Sequence, residues 1–188
     1  MNNASEKLIT PRFVITGGPG FGKSSIINEL EKLGKECRHE ISRSIIKEQL
    51  AVGGDVLPWK NLPAFSEVVL SKRLLQYEMC SGNQPVYFDR GVPDILAYLQ
   101  FDGYVPNDSV LHAISIVKYQ PVVFVTPPWK EIYCVDGERI ESYEKACLLH
   151  EAIEKTYLNL GYSLVHVPCG SISQRVEFIL STSDKQLL

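Results

Sequence analysis

The chain has 188 residues, 45% of them hydrophobic and 22% charged, which is enough apolar material for one sizeable core. Its net charge of -3 gives no electrostatic footprint for nucleic acid or an anionic membrane. The cysteines (Cys37, Cys80, Cys134, Cys147 and Cys169) are odd in number, scattered and without C-x-x-C spacing, which reads as free thiols in a reducing compartment.

Residues 1–10 are polar and lack the apolar stretch of a secretion signal, and no run reaches membrane-spanning length. A cytoplasmic protein is therefore expected, with mobile tails at 1–10 and 182–188. The run Phe13-Val14-Ile15-Thr16 predicts a strand over about 12–16. Gly17-Gly18-Pro19-Gly20-Phe21-Gly22-Lys23-Ser24-Ser25 follows. A helical stripe of Ile26, Ile27, Leu30 and Leu33 comes next and stops at Gly34.

Gly17-x4-Gly22-Lys23-Ser24 is the P-loop pattern, and here it stands between a strand and a helix, as its function requires. Gly18, Gly20 and Gly22 let the main chain turn its N–H groups inward as a nest for anionic oxygens. The following helix adds its unpaired first-turn N–H groups and positive dipole end. Lys23 is expected to reach the β- and γ-phosphates of ATP, and the Ser24 hydroxyl to ligate Mg2+. The phosphate-binding set is thus Gly17 through Ser25.

Further along, a short strand is predicted near 36–40. A helix over 41–51 carries Ile41, Ile45, Ile46 and Leu50. An irregular loop over 53–63 contains Pro58, Trp59 and Pro63. A long helix over about 64–80 is expected to face the core with Phe65, Val68, Val69, Leu75 and Met79. Val86-Tyr87-Phe88 is a strand ending in Asp89-Arg90-Gly91, followed by helices over about 93–101 and 107–119. A strand over 121–126, a charged irregular segment over 130–139, a helix over 140–160, a strand over 163–167 and a helix near 172–181 complete the chain. Alternating strands and helices predict an α/β fold of three layers, a parallel sheet covered on both faces, in one domain with its core over about 12–181.

Ligands in such sheets bind outside the carboxyl ends of the strands. Asp89 ends a strand there, in the form of a Walker-B element that holds Mg2+ or a metal-bound water; the alternative is a turn aspartate capping the next helix. Arg90 beside it contacts an acceptor or phosphate, or makes a surface ion pair. Glu40 is placed to accept a proton from an attacking hydroxyl, or is a solvated acid at a helix start. Arg139 is the one arginine of the charged segment, placed to neutralise a transferring phosphoryl group, or an ordinary helix N-terminal residue. The turn from Pro168 to Ser171 either lines a nucleotide base or is only a tight turn. Cys37 beside His39 reads as coincidence rather than a ligand pair.

Thr16 to Ser24, Gly54-Asp55-Val56-Leu57-Pro58-Trp59, Tyr87-Phe88-Asp89-Arg90-Gly91-Val92-Pro93-Asp94, Pro127-Pro128-Trp129-Lys130-Glu131-Ile132-Tyr133 and Gly161-Tyr162 resemble the predicted AAA-type ATPases grouped with the kinase domain of NadR-like proteins. The resemblance covers about 12–181. It implies a five-stranded parallel core with the Asp89 strand between the first two, and binding of ATP and Mg2+. It implies a lid arginine and a carboxylate near the second strand, which Arg139 and Glu40 match by position. The expected function is transfer of the γ-phosphoryl of Mg-ATP to a small, nucleoside-like acceptor, with Lys23, Asp89, Arg139 and Glu40 as the catalytic set. The alternative is a slow ATPase acting as a switch for a protein partner, which exposed aromatic patches near Trp59 and Trp129 would favour over simple loop packing. No nucleic-acid or membrane partner is expected.

Overall fold

The computed structural model describes residues 10–133 and 142–187. Its strands are β1 (Arg12–Thr16), β2 (Glu36–Arg38), β3 (Val86–Asp89), β4 (Val122–Val125) and β5 (Ser163–His166). Its helices are α1 (Lys23–Lys32), α2 (Ser42–Ala51), α3 (Leu62–Glu78), α4 (Val92–Phe101), α5 (Asp108–Ile116), α6 (Tyr143–Asn159) and α7 (Ile172–Gln186). The strands form one parallel sheet in the order β2-β3-β1-β4-β5. This is the α/β architecture expected from the alternation, with β3 inserted between β1 and β2.

β3 and β4 are buried along their whole length, and β1 is buried beyond Arg12. Strands covered on both faces read as continuous apolar runs rather than alternating ones. The two faces are still separable by the pleat. Phe13, Ile15, Tyr87 and Phe124 pack on one side with Ile26, Ile27 and Leu30 of α1 and Val176 and Ile179 of α7. Val14, Val86, Phe88, Val123 and Val125 face the other side, where α2 to α6 supply the larger core. Fully burying one such side chain is worth about 1.5–3 kcal/mol, so a one-residue register slip would forfeit several of these at once.

Several element boundaries and one helix face differ from the sequence expectation: the helix expected over 64–80 runs Leu62–Glu78, and the one expected over 107–119 ends at Ile116. The buried face of α3 is Leu62, Phe65, Ser66, Val69, Leu70 and Arg73, while Val68, Leu75 and Met79 are exposed. Apolar residues occupy both sides of this helix, so their spacing alone does not choose the inner face. A bond across the core from Arg73 Nη2 to the Asp89 carbonyl (2.7 Å) helps fix that choice. The last helix runs to Gln186 rather than stopping near 181, with Ser183 fully buried and its hydroxyl donating to the Ile179 carbonyl (2.8 Å). The second strand ends at Arg38, so Glu40 lies in the turn beyond it.

The register places Asp89 beside Ile15, and the Arg90 amide donates to the Ile15 carbonyl (3.0 Å). The end of β3 therefore lies against the start of the glycine-rich loop. β1 and β3 thus deliver the glycine-rich loop, Asp89 and Arg90 to one end of the sheet.

Candidate active site

The loop from Gly17 to Gly22 leaves β1 and enters α1. Gly22 is the helix N-cap at φ 80°, in the left-handed region, and contributes no side-chain cap to the first-turn amides. The positive φ there is what favours glycine; a Cβ would also crowd the Arg175 guanidinium, 2.5 Å from its Nη1. Gly18 is needed for space alone, since a Cβ would meet the Phe21 ring at 2.5 Å and the Ala146 carbonyl oxygen at 2.6 Å. The Phe21 side chain is fully buried among Tyr133, Tyr143 and His150. The Gly18 amide donates to His150 Nδ1 (3.4 Å), and His150 Nε2 lies 3.4 Å from Glu154 Oε1. Burial lowers the His150 pKa and favours the neutral ring that can accept this bond.

Lys23 is buried, and its ammonium donates to the carbonyls of Gly17 (2.9 Å) and Gly18 (2.7 Å). Burial, reinforced by the nearby Arg90, lowers its pKa to about 7 against the pull of Asp89 and Glu40. Ser24 Oγ donates to Asp89 Oδ2 (3.1 Å), and Asp89 Oδ1 is buried with no hydrogen-bond partner. Burial raises the Asp89 pKa, and the neighbouring Glu40 carboxylate adds to it. Such an orphaned carboxylate oxygen beside a hydroxyl fits a hard cation. Among the described residues no cluster of three or more His, Cys, Asp or Glu could hold a metal unaided. Mg2+ at phosphates takes one or two protein oxygens and completes its shell with water and phosphate, so the Ser24–Asp89 pair suits it.

Arg90, at φ 69°, is the one described non-glycine residue with positive φ. It is buried and ion-paired, so the surface alternative does not hold. Its Nε donates to Glu40 Oε1 (3.0 Å), and its Nη1 donates to the Gly17 carbonyl (3.1 Å) and to Asp94 Oδ1 (3.0 Å). Asp94 also accepts from Thr16 Oγ1 (2.5 Å), from the Gly91 amide (2.8 Å) and from the Tyr157 hydroxyl (2.6 Å). Burial would push the Glu40 carboxyl up, but Arg90 and Lys23 outweigh it and hold Glu40 below the usual carboxylate range.

Lys23, Ser24, Glu40, Arg90 and Asp94 border a cavity of about 580 Å3. Its lining includes Lys23, Ser24 and Glu40, together with Trp129, Gly170, Ser171 and Arg175, and with Trp59, Phe65 and Tyr98. Arg175 Nη2 donates to the Phe21 carbonyl (3.1 Å), and its guanidinium lies 5.6 Å from the Trp129 ring centroid. The structure thus brings Lys23, Ser24 and Glu40 to one cavity, with Asp89 directly behind Ser24. Arg139 lies outside the described residues. The Pro168–Ser171 turn contributes to the wall, and both Trp59 and Trp129 face the cavity. Sequence reasoning missed Arg73, His150, Tyr157 and Arg175. Each stands on a helix remote in sequence from the group it binds: the loop for His150 and Arg175, Asp89 for Arg73 and Asp94 for Tyr157, with no local motif to mark it.

A parallel sheet in this strand order, with a glycine-rich loop after its central strand and a carboxylate at the end of the neighbouring one, defines the P-loop fold in its nucleoside- and nucleotide-kinase form. A family model described as an AAA domain matches residues 12–175, and the chain belongs to that family. No curated protein matches the sequence. Among solved structures, a deoxyadenosine kinase from M. mycoides with bound dCMP and dCDP is similar at 16% identity and TM-score 0.64, over 93% of this chain and 99% of that one. A NadR protein in complex with NR is similar at 16% identity and TM-score 0.69, over 95% of this chain and 52% of that one. A thymidylate kinase from Candida albicans is similar at 12% identity and TM-score 0.63, over 94% of this chain and 93% of that one. At these identities the likeness is one of fold. Among the described residues no helix is long and apolar enough to cross a membrane.

Proposed function

We propose that the protein is a phosphotransferase that moves the γ-phosphoryl of ATP to a hydroxyl of a small, nucleoside-like acceptor. The observation that carries this reading is the breadth of the cavity lining. The cavity of about 580 Å3 is lined by Trp59, Phe65 and Tyr98 as well as by the loop, Ser24 and Glu40, room that a nucleotide-hydrolysing switch does not need. Solved structures of like fold add support, since they include kinases of a nucleoside and of a nucleotide, and a NadR protein with bound AMP-PNP.

In this reading Lys23 and the loop amides from Gly17 to Ser25 hold the phosphates. Arg175, stacked on Trp129, walls the end taken by the adenosine part. Ser24, backed by Asp89, would hold Mg2+, which supplies charge neutralisation at the β- and γ-oxygens. The acceptor oxygen forms its bond to the γ-phosphorus as the bond to the bridging oxygen breaks. The hydroxyl proton passes to Glu40, kept ionised by Arg90 and Lys23, and ADP leaves. ADP release from Mg-ATP is expected to rise when a panel of nucleosides is added. A flat response over slow basal hydrolysis would sink the kinase reading in favour of a switch.

Lys23 makes the nucleotide step pH-dependent. Without ligand it is half-protonated near its lowered pKa of about 7. A polyphosphate beside the ammonium raises that value. Between the two values the complex holds more protons than the separate partners, so affinity falls as pH rises above 7. Calorimetry of ATP binding at pH 8, in buffers of different ionisation enthalpy, is expected to show proton uptake. Uptake that persists in Lys23→Met would assign it to another group.

A further inference from the structure

The glycines that let the phosphate loop turn also leave its main chain free to rotate. A peptide between two glycines meets few steric barriers and can turn over. The Gly17–Gly18 peptide is such a unit, with Gly17 at φ 129°. Side chains from three separate elements hold it. Its carbonyl accepts from Lys23 Nζ of α1 (2.9 Å) and from Arg90 Nη1 after β3 (3.1 Å), and its N–H donates to His150 Nδ1 of α6 (3.4 Å). Pro19, Gly20 and Gly22 are among the described residues lining the cavity, but Gly17 and Gly18 are not. This peptide is therefore the footing on which the cavity-lining part of the loop stands.

The bond from Gly18 needs His150 with Nδ1 bare and Nε2 protonated. The surroundings impose that state. His150 is buried, and burial lowers its pKa and keeps the ring neutral. Its Nε2 lies 3.4 Å from Glu154 Oε1, which draws the ring proton to that side. The same oxygen lies 2.6 Å from Nε2 of His166 at the end of β5, so Glu154 is itself anchored. The other charges acting on the ring, Glu151 and Lys23, oppose each other. His150 also packs edge-on against Phe21, with centroids 5.8 Å apart. Packing needs the volume of the ring, whereas holding the peptide needs one lone pair, so the two roles rest on different atoms.

We infer that His150 is a positioning residue for the phosphate loop, its Nδ1 lone pair fixing the plane of the Gly17–Gly18 peptide and with it the perch of Lys23. The inference rests on the reading of that loop as the phosphate holder, but on no acceptor and no transfer step. The full chain is titrated calorimetrically with AMP-PNP and Mg2+ as parent, His150→Asn and His150→Leu. Asparagine sets a carbonyl oxygen where Nδ1 stands and gives up the ring. Leucine fills a similar volume against Phe21 and accepts nothing. The leucine variant is expected to bind about 10-fold more weakly, because a buried amide left unsatisfied makes the binding-competent loop the minor form. The asparagine variant is expected to stay within about 3-fold of the parent. A packing role predicts the reverse order. Imidazole 15N spectra of the parent at neutral pH are expected to show the proton of His150 on Nε2. A folded leucine variant that binds as tightly as the parent overturns the inference. So does an asparagine variant no better than leucine, or a ring protonated on Nδ1. The asparagine variant and the spectrum decide the matter if the leucine variant does not fold. A parent that binds no nucleotide sinks the phosphate-loop reading and this inference with it. A parent that binds, beside an equally tight leucine variant, sinks this inference alone.

Discussion

Lys23→Ala is expected to weaken ATP binding or turnover by about 100- to 1,000-fold, the usual worth of one preorganised group facing transferred charge. The protein should nonetheless remain folded. Lys23 is buried, its ammonium is disfavoured there, and its own bonds are to two carbonyls of the loop. Removing it relieves a costly burial while deleting the one flexible cation of the loop, so function falls without a matching fall in stability. Calorimetric titration of Mg-ATP, alongside urea unfolding of both proteins, separates the two effects. If the variant binds Mg-ATP as tightly as the parent, the phosphate-binding assignment is wrong. If it instead unfolds at markedly lower urea, Lys23 is structural first.

Asp94→Ala is expected to cost about 3–5 kcal/mol of folding stability, the penalty for breaking a buried ion pair from one side. Asp94 is 3% exposed and accepts four bonds, from Thr16, Arg90, Gly91 and Tyr157. These donors come from β1, the β3–α4 turn and α6, so one carboxylate ties together the elements beneath the cavity. Alanine leaves the Arg90 guanidinium with one carboxylate and strands the Tyr157 hydroxyl and the Gly91 amide. Asp94→Asn preserves shape and most acceptors and should cost less, about 1–3 kcal/mol. The test is the urea midpoint at unchanged m-value. A loss below about 1 kcal/mol for the alanine variant would mean that water replaces the network, and that Arg90 is not held as described.

The phosphate loop could be read residue by residue because its requirements are local. Glycines, a lysine and a hydroxyl at fixed spacing each answer to the geometry of one short turn. The strand–helix alternation is local in the same sense, since each strand buried on both faces must be apolar throughout. The place of Asp89 at the end of β3 was legible for a related reason, as the polar end of an apolar run has few places to go.

The remainder of the cavity is made by pairs far apart in the chain. Glu40 and Arg90 each carried two sequence readings of similar weight, and the placement of β3 between β2 and β1 set the two side chains 3.0 Å apart. Arg175 reaches the loop only because α7 packs on α1, and nothing near residue 175 announces that. The inner face of α3 was misread because apolar residues occur on both sides of that helix. Arg73, the least expected residue to be buried, lies on the inner face and binds the Asp89 carbonyl.

The sequence by itself determined that a strand, a glycine turn and a helix follow one another at Arg12–Lys32, because spacing along one chain fixes what neighbouring residues can do. Only the tertiary structure decided which charges cancel and which walls the cavity has. Those depend on distances between segments that no local pattern encodes, and on burial, which turns a surface pair into a fixed one.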